Sequence, residues 1–120
     1  MKSNHKKEKT KNERIKESSQ LIEVNTGKIP VLIDKDPNCN LRTLLKTKYL
    51  LSTKVTIDQF LKIIRGKLEI EKEYALFLLA NCKSKKYAVV GSMTFGEVYE
   101  KYKDDDGFLY LIYSNEKIWG

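Results

Sequence analysis

The sequence predicts an α+β domain, and three observations predict it. Two short aliphatic runs, 29–34 and 48–52, precede a strongly amphipathic stretch at 56–67. Two further apolar runs, 75–80 and 108–113, bracket a second helical stretch at 94–103. Each of those helical stretches opens on a threonine with Gln or Glu three residues later, the spacing of a capping box.

The chain of 120 residues opens on a basic segment. Residues 1–20 carry seven basic side chains against three acidic ones, so they hold +4 of the formal net charge of +7. Only Met1 and Ile15 are hydrophobic there, too little apolar surface to offset the entropy of ordering. Residues 1–12 are therefore expected to be mobile or a solvated helix. A basic arm suits nucleic acid or an anionic membrane face, but a solubilising tail explains the composition better.

A helix is expected over 13–24, with Ile15 and Ile22 seven apart on one stripe. Asn25, Thr26 and Gly27 stop it, Gly27 serving as a C-terminal cap. Ile29-Pro30-Val31-Leu32-Ile33-Asp34 reads as a strand whose proline end belongs at an edge or bulge. The Asp36–Asn40 cluster is a turn or loop. Lys48–Ser52 is a second strand suited to pairing with the first.

The helix over 56–67 places Ile57, Phe60, Leu61, Ile64 and Leu68 on one face. Residues 75–80 read as a central strand buried on both faces. Residues 82–92 form a lysine-bearing loop in which 87–90 are suited to an extra short strand. Asp106-Gly107 marks a turn before the last strand. A hairpin, a helix across it and two further strands make a β-grasp order, preceded here by an additional N-terminal helix. The expected domains are a basic segment 1–12, a ubiquitin-like body 13–114 and an extended tail 115–120.

Composition excludes several function classes. Two cysteines, one histidine and no CxxC pattern argue against a zinc site or a disulfide framework. No apolar run approaches the ~20 residues that span a bilayer. No nucleophile–base pair and no phosphate loop is present. The Asp104–Asp106 run reads as a turn rather than a metal site. Lys83, Lys85 and Lys86 around Tyr87 read as a solvated loop, so nucleic acid is not the expected partner. No cofactor is expected.

Several segments, taken together and in order, resemble a known family. They are Lys28-Ile29-Pro30-Val31, Lys48-Tyr49-Leu50, Gln59-Phe60, Ile64-Arg65, Ala75-Leu76-Phe77, Asp106-Gly107-Phe108-Leu109-Tyr110 and Tyr113-Ser114. With a final glycine they resemble the autophagy-related protein 8 family, which includes GABARAP and light chain 3, over about residues 12–120.

The resemblance implies a ubiquitin-like modifier of autophagy rather than an enzyme. Gly120 matches the glycine that E1-like and E2-like enzymes activate and join to phosphatidylethanolamine. A cysteine protease processes and deconjugates such modifiers. The implied locations are the cytoplasm and the autophagosome membrane, and the implied state before conjugation is a monomer.

The resemblance also implies capture of cargo receptors through short aromatic-x-x-aliphatic motifs, added as a strand beside 48–52. The aromatic pocket would comprise Glu17, Leu21, Pro30, Leu32, Lys48, Leu50 and Phe108. The aliphatic pocket would comprise Tyr49, Leu51, Val55, Phe60, Ile63 and Ile64, with Phe60 and Ile64 equally suited to the core. Lys28, Lys46, Lys48 and Arg65 would attract acidic residues flanking the motif.

The sequence departs from the family at Ser52, where a proline is usual, and in a longer loop after Asn81. It also departs at Trp119, where phenylalanine is common. A Trp-Gly ending resembles the sister modifier, autophagy-related protein 12, which is joined to a protein lysine. A non-conjugated ubiquitin-like adaptor or a basic RNA-binding module is the third reading.

Overall fold

A computed structural model describes residues 2–115. Its elements are α1 (Asn4–Glu8), α2 (Lys11–Val24), β1 (Lys28–Lys35), β2 (Lys48–Ser52), α3 (Ile57–Leu68), β3 (Phe77–Cys82), β4 (Lys85–Ala88), α4 (Phe95–Tyr102) and β5 (Leu109–Ser114). The five strands form one sheet in the order β2-β1-β5-β3-β4. β1 runs parallel to β5, and the other pairs are antiparallel. This is the ubiquitin-like arrangement with an N-terminal helical addition that the sequence predicts.

Strand alternation divides the apolar residues between two faces. Ile29, Val31 and Ile33 of β1, Leu78 and Ala80 of β3, and Leu109, Leu111 and Tyr113 of β5 face the main core. Ile57, Phe60, Ile64 and Leu68 of α3 fill that core, joined by Phe95 and Val98 of α4. Both helices carry the expected capping boxes, Thr56 with Gln59 and Thr94 with Glu97. The opposite face holds a smaller cluster of Leu32, Phe108 and Tyr110, with Leu21 of α2 against it. The connection from β1 to β2 is held by Tyr113, whose hydroxyl donates to Arg42 O at 2.7 Å and accepts from Leu44 N at 3.0 Å.

Several expectations are corrected here. The stripe expected to bury α2 is turned outward, with Ile15 and Ile22 both exposed. The inward face is Arg14, Ser18 and Leu21, because polar partners on the turn before β5 reward these side chains more than a thin apolar patch would reward the isoleucines. Ser18 Oγ donates to Asp106 O at 2.5 Å. The helix ends on Asn25, whose N–H bonds Leu21 O, while Gly27 occupies the left-handed turn beyond it at φ 80°.

Pro30 lies in an interior strand rather than at an edge. Ile33 N donates to Thr47 O, and Asp36 N to Tyr113 O, so even-numbered amides of β1 face β5. The β1–β5 register begins at Val31, so the missing donor falls before that ladder starts. Residues 82–92 contain a true strand, β4, two residues earlier than the suggested one. It covers β3, which begins at Phe77 instead of residue 75. Of the two alternatives for 1–12, mobile or a solvated helix, the structure shows a helix, α1, with no residue buried as a whole. A Ser3 side chain caps it, and His5 packs against Phe108 with ring centroids 4.8 Å apart.

Candidate peptide-binding site

β2 is an outer strand of the sheet and pairs with β1 alone among the described strands. The Val31–Tyr49 and Ile29–Leu51 positions are the bonded pairs of this ladder, as the Ile33 N to Thr47 O bond fixes its phase. The amides and carbonyls of Lys48 and Leu50 therefore point away from the sheet. An extended chain laid beside them gains backbone hydrogen bonds, and side chains on the two faces of β2 meet different surroundings.

On one face, Leu50 lies beside Pro30, its partner across the ladder. Leu32, Phe108 and Leu21 continue the apolar surface. Phe108 is fully buried, so it forms the floor. Glu17 of α2 and Lys48 of β2 form an ion pair at the rim. Lys9 Nζ also reaches Glu17, at 3.2 Å. Burial alone would raise the Glu17 carboxyl, but the hydrogen bonds from Lys48 and Lys9 hold it below the usual carboxylate range. The seven residues expected to form the aromatic pocket thus meet on one face.

On the other face the expected residues separate by depth. Phe60 and Ile64 are fully buried, and Phe60 packs edge-on against Tyr49 and Phe95 at 5.3 Å each. These two are core. Tyr49 is buried, with its hydroxyl donating to Lys46 O at 3.0 Å. Leu51 and Val55 are half-buried, and Ile63 is exposed. Of the residues expected on this face, Leu51, Val55 and Ile63 are thus the accessible ones.

The basic residues are unequally free. Lys28 and Lys46 are exposed, and the Lys46 ammonium lies over the Tyr49 ring at 4.8 Å. Lys48 is engaged with Glu17. Arg65 donates to Tyr74 O at 2.8 Å and Glu71 O at 3.1 Å, holding the turn after α3. Gly120, the expected point of conjugation, lies outside the described residues, as does Trp119.

The face is anchored by a buried network that sequence reasoning missed. Asp106 accepts from Arg14 Nε at 2.8 Å, from the Tyr110 hydroxyl at 2.5 Å and from Phe108 N at 2.9 Å. Burial, with the bond to the Asp106 carboxylate, pushes the Tyr110 phenol up. Gly107 has φ 91°, and a Cβ there would lie 2.4 Å from Ser18 Oγ. The only available sequence signal was Arg14 and Ser18 at helical spacing on a single face. His5 was also missed, because a lone histidine in a charged segment carries no pattern.

The described residues hold no cluster of His, Cys, Asp or Glu suited to a metal ion. None of their helices is long and apolar enough to cross a membrane. Cys39 and Cys82 are free thiols, the first buried.

The pattern of the family described as "Autophagy protein Atg8 ubiquitin like" matches residues 13–120. The chain belongs to the Atg8 family. It is 40% identical over 116 residues to autophagy-related protein 8D of Oryza sativa subsp. japonica, covering 96% of this chain and 95% of that protein. It is also 40% identical over 95 residues to human microtubule-associated protein 1 light chain 3 gamma, covering 78% of this chain and 63% of that one. The crystal structure of Trypanosoma brucei ATG8 superposes with a TM-score of 0.84 at 29% identity, each chain covered in full. Atg8 proteins are ubiquitin-like autophagy modifiers, so conjugation enzymes and cargo receptors are the general classes of partner.

Proposed function

We propose that this Atg8 protein is joined through Gly120 to phosphatidylethanolamine on autophagosomal membranes and there recruits cargo receptors. In this reading it is the substrate of E1-like and E2-like enzymes and of a processing protease, not itself an enzyme. It passes between the cytoplasm and the membrane. The observation that supports recruitment most directly is the open edge of β2, with an apolar patch on each face and a lysine-rich rim. A receptor's aromatic side chain would lie over Phe108 between Leu50 and Leu21. Its aliphatic side chain would lie among Leu51, Val55 and Ile63, and acidic flanking residues would approach Lys28 and Lys46.

Glycine suits the conjugated end because it leaves the carboxyl unobstructed in narrow enzyme sites. A lipid with two acyl chains gives stable attachment where one gives marginal attachment. The test is reconstitution with purified conjugation enzymes and phosphatidylethanolamine vesicles. The native chain should form a membrane-bound adduct and Gly120→Ala should form none. An adduct formed equally by Gly120→Ala would overturn the proposal. The Trp119-Gly120 ending supports a second reading, attachment to a protein lysine, which the same reconstitution would reveal as an adduct without lipid.

A further inference from the structure

We infer that His5 is a built-in occupant of the aromatic subsite, and that a receptor's aromatic side chain binds by displacing it. This inference rests on the peptide-site reading above. The imidazole stands edge-on to Phe108, with centroids 4.8 Å apart and planes inclined at 69°. Its side chain is only 9% exposed, and Nε2 lies 2.9 Å from Glu17 Oε1. Glu17 is in turn paired with Lys48. Phe108, Glu17 and Lys48 are three of the residues assigned to receive an incoming aromatic ring. That ring cannot reach Phe108 along the side that His5 covers while the imidazole stays in place.

The element carrying His5 is built to leave. α1 has five residues, none of them buried as a whole, and an isolated helix of that length does not persist in water. Its tethers are polar. Lys6 Nζ reaches Asp104 Oδ1 at 2.5 Å and lies over the Tyr110 ring at 4.9 Å. Asn4 Nδ2 donates to Asp34 Oδ1 at 3.4 Å. Ser3 is buried, but its side chain serves the helix itself by accepting from Lys6 N at 3.3 Å. Partly exposed ion pairs hold weakly. His5 on Phe108 is the one ring-on-ring contact that the residues of α1 make with the sheet among the described residues. A receptor strand offers a larger ring together with backbone bonds to β2, so it outcompetes the imidazole.

Displacement lowers apparent affinity by the fraction of molecules whose subsite is open. An edge-to-face aromatic contact of this kind corresponds to about a two- to tenfold effect. The chain has a single histidine, so one imidazole signal in the NMR spectrum reports its position without ambiguity.

The experiment titrates a synthetic acidic peptide with a Trp-x-x-Leu core into the native chain, His5→Ala and Leu50→Ala. His5→Ala should bind about two- to tenfold more tightly than the native chain. In the native chain the imidazole signal should move toward that of a solvent-exposed histidine as peptide is added. Equal or weaker binding by His5→Ala, or an imidazole signal that does not move, would overturn the inference while Leu50→Ala still weakens binding. Binding indifferent to Leu50→Ala, or absent from both the native chain and His5→Ala, would instead overturn the peptide-site reading and this inference with it.

Discussion

Replacing Asp106 by alanine probes how the binding face is anchored to the sheet. The carboxylate is completely buried and serves Arg14, Tyr110 and the Phe108 amide. Its loss leaves a guanidinium whose side chain is 11% exposed with no carboxylate beside it, and leaves two further donors without their acceptor. Breaking one side of a buried ion pair costs about 3–5 kcal/mol. An orphaned donor costs about 1–3 kcal/mol, but the terms overlap because one entering water serves several groups. A total of about 3–5 kcal/mol is therefore expected, a large share of the roughly 5–15 kcal/mol that holds a domain folded. Urea unfolding followed by circular dichroism reads this as a midpoint lower by roughly 2 M, given slopes of about 1–3 kcal/mol/M. The double variant Arg14→Met/Asp106→Leu should recover a good part of the loss, since it leaves no unpaired charge. A loss below about 1 kcal/mol for Asp106→Ala, or no recovery in the double variant, would refute the anchoring argument.

Further outcomes follow from the same geometry. Phe60→Ala should cost about 3–5 kcal/mol in unfolding experiments, whereas exposed Ile63→Ala should change stability by less than about 0.5 kcal/mol yet weaken capture of a motif peptide. Gly107→Ala should destabilise the fold by roughly 1–3 kcal/mol, because its positive φ and the Ser18 hydroxyl both oppose a Cβ; Gly66→Ala, in open helical surface, should be neutral or stabilising in the same melts. Burial, aided by Lys48 and Lys9 and opposed by Glu17, holds the His5 imidazole below its ordinary value of 6.5. Phe108 and Asp34 complete its surroundings. The seated form therefore prefers neutral histidine, so seating of α1 is strongest above pH 6.5 and weakens as pH falls from there toward the depressed value. An NMR titration of this one imidazole should show a midpoint below that of free histidine, and a midpoint at or above it would contradict the assignment.

Most of the framework is legible in the sequence because local and global signals agree. Thr56, Gln59 and the Ile57, Phe60, Ile64, Leu68 face announce α3, and each of these four apolar residues is buried. The alternation of β1 separates its core residues from the Leu32 side without further information. The second helix misleads because burial there follows partners, not hydrophobicity. Arg14 and Ser18 go inward since Asp106 and its carbonyl await them, and those partners lie about ninety residues away in the chain. α1 escapes composition-based reading for the same reason: Lys6 and His5 are ordered by Asp104, Phe108 and Glu17, not by neighbours in sequence. Pro30 misleads through a sound rule, since the proline does lack a ladder bond, but at a ladder's start instead of a sheet's edge. At the site, the sequence identifies the residues of the Phe108 side as a group. On the other side the helical period already sets Phe60 and Ile64 on the buried face of α3 and leaves Ile63 off it, but the period alone does not decide whether such a face serves the core or a pocket.

The central claim is covalent attachment through Gly120, and mass spectrometry of the C-terminal peptide from the protein's own cells during induced membrane turnover tests it most directly. The account predicts a Gly120 carboxyl bearing phosphatidylethanolamine. A Gly120 isopeptide to a protein lysine, or a carboxyl that stays free throughout, would contradict it.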